Sequence, residues 1–134
     1  MKAGRVVTVE DFRALHHDFY KGIYVPAGSD VAVSIRFRPR PNDEWGYTDQ
    51  WIEEGKCLVY TGQGGPPGHQ TWNRFNLGLR HAAETNSLVY VFEELTGSPR
   101  TYRYWGEWAV VNWYEQFDPS QNRSLIRFVI QVPD

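Results

Sequence analysis

The sequence predicts an α+β fold: a curled, mostly antiparallel sheet or small barrel with two or so helices outside it. Three observations carry that expectation. Short β-prone runs recur along the chain between clusters of Gly, Pro, Asn and Asp. Two segments have apolar residues at helical spacing. A length of 134 residues is that of one domain, expected to span 1–134.

Thr8 is placed to cap a helix whose first turn holds Glu10 and Asp11. Val9, Phe12, Leu15 and Phe19 extend it to about Asp18, before Gly22 and Pro26-Ala27-Gly28-Ser29 break the pattern. In 31–38, Val31, Val33, Ile35 and Phe37 alternate with Ala32, Ser34, Arg36 and Arg38, as in a half-buried strand. Its polar end gives Arg36, Arg38 and Arg40 a common direction, either a solvated face or a phosphate-contacting strip. After a turn-rich break at 39–43, short strands are expected at 45–48 and 56–61 around a Glu-Glu-Gly turn. A Gly- and Pro-rich loop at 62–68 leads to a second helix over 71–84, with Trp72, Phe75, Leu77, Leu79 and Ala82 or Ala83 as its apolar residues. Strands follow at 87–92, 102–114 and 124–132, with Gly106 marking a bulge or bend in the second.

At 41% hydrophobic and 22% charged residues, the chain has material for a core under an ordinary soluble surface. Aromatics reach 16% with six Trp, which either fill a β-rich core or serve as platforms for a flat ligand. A formal net charge of −2 excludes a whole-molecule basic field, so any nucleic-acid contact depends on a local patch and is salt-sensitive. The single cysteine, Cys57, rules out an internal disulfide and reads as a small core residue. No run approaches the ~20 apolar residues of a membrane span and no signal core opens the chain, so a cytoplasmic protein with no membrane partner is expected.

Catalytic motifs are missing. His16-His17, His69 and His81 lack metal-ligand spacing, no Gly-x-Ser-x-Gly elbow exists, and no metal or cofactor is expected. Gly62-Gln63-Gly64-Gly65-Pro66-Pro67-Gly68 lacks the Lys-Ser/Thr of a phosphate-binding loop, and its prolines remove backbone donors. The chain therefore reads as a binding domain.

The most informative stretch is 44–70. Tyr47 and Tyr60 flank Asp49, and Tyr60 opens a Tyr-Thr-Gly-x-Gly-Gly turn. Both tyrosines could simply pack in the sheet. Alternatively a planar guest lies between the two rings while a carboxylate reads its amino group, an arrangement suited to a flipped nucleobase.

Gly46-Tyr47-Thr48-Asp49-Gln50-Trp51, Glu53-Glu54-Gly55, Tyr60-Thr61-Gly62-Gln63-Gly64-Gly65 and Asn76 resemble the SRA (SET- and RING-associated, or YDG) domain. The pattern is most similar to bacterial SRA-like domains of HNH-type modification-dependent restriction endonucleases, and the likeness continues through 89–93 and 102–107. Tyr104-Trp105-Gly106 departs from the YDG signature, with Trp105 in place of its aspartate. The loop after Tyr60 also departs from the bacterial pattern at 66–69.

The resemblance implies a PUA-like barrel that reads 5-methylcytosine or 5-hydroxymethylcytosine in double-stranded DNA by flipping the base into an aromatic cage. By matching position, Tyr47 and Tyr60 are the rings and Asp49 accepts from the cytosine amine. Thr61 and Gly62 meet the polar edge, and Gly46 and Trp51 complete the base site. Arg36, Arg38, Arg40 and Arg74 are the phosphate candidates, while Gln63, Gly64, His69 and Gln70 are candidates for the groove or backbone. Any nuclease activity belongs to a separate, fused or partner HNH domain. The alternatives are a PUA-like module reading RNA or methylated adenine, and a protein-interaction domain.

Overall fold

The computed structural model describes residues 1–17, 21–39, 48–65 and 67–134. Residues 45–47 of the strand expected at 45–48, the turn at 40–43, the helix extension through 18–20, and Arg40, Gly46 and Tyr47 lie outside the described residues; Thr48 is not in a strand, and a strand is found instead at Gln50–Glu53.

The chain runs β1 (Arg5–Val7), α1 (Val9–Leu15), β2 (Ile23–Tyr24), β3 (Ser34–Phe37), β4 (Gln50–Glu53), β5 (Cys57–Thr61), α2 (Arg74–Glu84), β6 (Val89–Leu95), β7 (Thr101–Asp118) and β8 (Arg123–Gln131). The strands follow the order β2-β3-β6-β7-β8-β5-β4, with β1 on the side of β7. Every pairing is antiparallel except β3 with β6. The α+β class and antiparallel sheet match expectation; among the described residues the sheet is open rather than closed into a barrel.

β7 joins the two halves. Its first part pairs with β6 and its second with β8. Register shifts opposite Val91/Phe92 and at Val110/Asn112 bend the strand where it changes partner. Gly106 sits at the first shift with φ +99°, a conformation that a side chain disfavours, so the bend read from the sequence is present.

Thr8 caps α1 through a reciprocal capping box with Asp11. The helix stops at Leu15, shorter than expected, because His16 leaves helical geometry. The His16 ring is fully buried, stacks on Phe12 at 4.9 Å, and bonds Ser34 Oγ at 2.8 Å and the Lys21 carbonyl at 2.6 Å. Ser34 is thus buried on the face that alternation assigns to solvent, because α1 covers it.

α2 starts at Asn73, whose side chain accepts from the Phe75 and Asn76 N–H groups, and buries Asn76, Gly78, Leu79 and Ala82. Gly78 allows the close approach: a Cβ there would lie 2.6 Å from Val25 Cγ2. The main core gathers Ile23, Ile35, Leu58, Tyr60, Leu79, Val91, Trp108, Phe128 and Ile130. Leu58 and Tyr60 are the inward residues of β5, whereas Cys57 is half-buried, close to Gln131, rather than in the core.

Candidate functional site

Where β5 ends, its chain leaves the sheet through the Thr61–Gly65 turn and opens a cleft of about 800 Å³. Its walls come from separate elements: Lys21 and Gly22 before β2, Arg36–Arg38 of β3 and its end, Tyr60–Gly65, Phe75 of α2, and Glu94 with Arg100. Pairing of Gln50 with Val59 sets Asp49, one residue ahead of β4, beside the Tyr60–Thr61 end of β5.

Asp49 is buried, and its Oδ1 accepts from the Thr61 N–H at 2.7 Å. Burial pushes its carboxyl up to about 7. Hydrogen bonds from the Thr61 backbone and hydroxyl, the Arg127 charge and the Arg38 N–H pull in the other direction without cancelling it. Arg127 enters from β8. Its Nη1 donates to Thr61 Oγ1 in a short hydrogen bond, and its Nε donates to Gln116 Oε1 at 3.1 Å.

Tyr60 forms part of the cleft wall while nearly the whole residue is buried. Gly22 lies against it so closely that a Cβ would collide with the Tyr60 hydroxyl. The loop after Tyr60 is held on all sides. Gly62 N–H donates to the Ile126 carbonyl at 2.7 Å. Asn76, fully buried, accepts from Gln63 N–H at 2.8 Å and donates to the carbonyls of Gln63 and Thr71. A Cβ at Gly62 would lie 2.7 Å from Asn76 Oδ1, so the glycine is required by this brace. Arg123 donates to the carbonyls of Gly64 and Gly68.

The opposite wall is cationic. Glu94, only 8% exposed, pairs with Arg38 at 3.2 Å, Arg100 at 3.3 Å and Arg36 at 3.9 Å. Three guanidinium groups thus gather around one carboxylate on this wall, and the exposed Lys21 lines the same cleft.

The structure brings Asp49, Tyr60, Thr61, Gly62, Gln63, Gly64, Arg36 and Arg38 together around one cleft. Other sequence candidates are used differently. Trp51 packs edge-on against Phe37 and Trp105, away from the cleft lining. Gln70 is buried and spends its amide on the carbonyls of Gly62 and Gly64 and the Ile126 N–H, so it braces the loop rather than facing a groove. His69 Nδ1 accepts from the Ser124 N–H. Arg74 donates to the carbonyls of Val25, Pro26 and Ser29, which ties α2 to the 25–29 loop. Gln63, in the amide orientation that satisfies its neighbours, accepts from Gly22 and Ile23 N–H at 2.9 Å. Arg100 and Glu94, which line the cleft, and Arg127, which touches it only through Thr61, were not legible as site residues, because each comes from a strand or turn distant in sequence.

A family model for the SAD/SRA domain matches residues 9–132, and the chain belongs to that family. No curated protein matches the sequence. Solved structures are similar in fold. The SUVH5 SRA domain in complex with fully methylated CG DNA is 23% identical with a TM-score of 0.78, over 99% of this chain and 89% of that one. The same domain bound to fully hydroxymethylated CG DNA is 24% identical with a TM-score of 0.73, over 95% and 85%. KRYPTONITE in complex with mCHG DNA and SAH is 21% identical with a TM-score of 0.77, and this chain covers 32% of its length.

Proposed function

We propose that this domain reads modified cytosine in double-stranded DNA by accepting the flipped base into the cleft beside Asp49. The observation that carries the reading is the Asp49 carboxylate: buried, anchored by the Thr61 N–H at 2.7 Å, and part of the cleft wall. An acceptor at that point suits the exocyclic amine of cytosine, which thymine lacks. The Tyr60 ring offers one stacking surface, and Tyr47 is assigned the second on the motif. Stacking contributes about 1–3 kcal/mol per base, and flipping costs a few kcal/mol. The two roughly offset each other, so phosphate contacts must supply net affinity, and the clustering of Arg36, Arg38 and Arg100 on the cleft wall around Glu94 supports that role for them.

Family membership and the methylated and hydroxymethylated DNA in the SUVH5 complexes support this reading. We further assign the domain as the recognition module of a bacterial, cytoplasmic modification-dependent restriction endonuclease whose HNH nuclease lies in a separate domain. That assignment rests on the motif resemblance alone.

The test is a low-salt titration against matched duplexes carrying cytosine, 5-methylcytosine, 5-hydroxymethylcytosine or N6-methyladenine at one site. Preference for a modified cytosine is the expected result. Equal binding to all four duplexes contradicts the reading.

A further inference from the structure

Arg127 lies on β8, 66 residues along the chain from the Thr61 hydroxyl that it touches. A guanidinium has only donors, so Thr61 Oγ1 must accept from it. The one hydroxyl proton of Thr61 is then left to turn elsewhere, and beside it stands Asp49, whose Oδ1 accepts from the N–H of the same residue at 2.7 Å. Asp49 receives the Thr61 N–H on Oδ1. A carboxylate offers about four acceptor positions, so what remains for a guest is an acceptor.

We propose that Arg127 is a positioning residue that decides specificity: acting through Thr61, it keeps Asp49 an acceptor, so the cleft admits an exocyclic amine and rejects a carbonyl in the same place. The inference rests on the modified-cytosine reading above. Other charged or titratable groups surround the relay. Arg36, Arg38, Glu94 and Arg100 stand on one wall of the cleft and Lys21 on another, while Tyr114 and Asp118 of β7 act on Arg127 from behind. Among the described residues, Arg127 is the one whose charge bears on Asp49. Without it, Asp49 has lost its cation and the Thr61 hydroxyl its fixed direction. A protonated carboxyl can donate to a carbonyl as readily as it accepts from an amine, so discrimination collapses.

Thymine is the sharpest probe, because it differs from 5-methylcytosine only at the edge that Asp49 would read. Wild type and Arg127→Met are titrated with three duplexes that carry 5-methylcytosine, cytosine or thymine opposite the same guanine, the 5-methylcytosine-to-thymine ratio being followed from about pH 6 to about pH 9. Wild type is expected to prefer 5-methylcytosine, with the ratio climbing as Asp49 ionises. In Arg127→Met the ratio at neutral pH should drop by about tenfold or more, the weight of a charge-assisted hydrogen bond, and its climb should move to higher pH. An unchanged ratio and pH profile overturns the role of Arg127 while leaving the reader function standing. A wild type with no preference for 5-methylcytosine over cytosine overturns both. Should Arg127→Met fail to fold, Thr61→Ser and Thr61→Val carry the test with Arg127 in place: the serine variant should keep the ratio and the valine variant lose it, and equal ratios overturn the proposal.

Discussion

Asp49 is under two opposed demands. In the proposed role it must be buried to read a base edge away from water, and burial works against the charge that makes it an acceptor. The unfolded chain releases this proton near 3.8, whereas the folded protein holds it to about 7. Between those values the native state binds more protons, so the stability of the unliganded protein falls as pH rises through that window and levels off above it. Asp49→Asn removes the penalty. Its Oδ1 keeps the Thr61 N–H, and its amide NH₂ takes the position from which the carboxylate served the cleft. We expect the variant to match wild type near pH 4 and to be more stable by a few kcal/mol near pH 8, the rise of the Asp49 carboxyl to about 7 being already net of the Arg127 charge. It should also lose its preference for modified cytosine. Urea unfolding at the two pH values and the duplex titration check both effects. Asp49, Tyr60 and Thr61 were legible in the sequence because they sit in one short motif. Arg127 was not, since only the pairing of Thr61 with Arg127 across β5 and β8 brings it there.

At the scale of elements, the loop from Gly62 to Gln70 shows why polar residues in a glycine-rich stretch mislead. A loop that leaves the sheet exposes backbone groups that need partners. Gln70, Asn76 and Arg123 supply them, so side chains that look like surface contacts are internal braces. His69 and Arg74 are drawn into backbone contacts in the same way. Asn76→Ala should therefore lower stability by about 2–4 kcal/mol by leaving buried groups of the loop unpaired. Modified-DNA affinity should fall in proportion to the lost order of the loop, with the salt dependence unchanged. Unfolding curves and titrations at several salt concentrations separate the two effects. The longer strands were readable, whereas β1, β2 and β4 were not; Gly106 announced the bend in β7, and Thr8 with the acids after it announced α1. The early end of α1 was not, because it depends on His16 finding Ser34 across the core.

For the whole molecule, a net charge of −2 and a DNA-binding role are compatible only if positive charge is concentrated. The cluster of Arg36, Arg38 and Arg100 on Glu94 achieves that at the cleft mouth, and sequence alternation reached only its β3 half. Arg100→Ala should weaken binding to modified and unmodified duplexes alike and reduce the salt slope by about one, leaving their ratio intact. A change in the ratio would instead place Arg100 against the base.

The measurement that bears most directly on the central reading is base flipping itself. A duplex with 2-aminopurine beside a single 5-methylcytosine reports loss of stacking as a rise in fluorescence. Wild type should raise the signal on binding this duplex and leave its unmodified counterpart nearly unchanged, and Asp49→Ala should bind weakly without the rise. Tight binding of the modified duplex with no change in fluorescence would mean that the base stays in the helix and that the cleft beside Asp49 does not receive it.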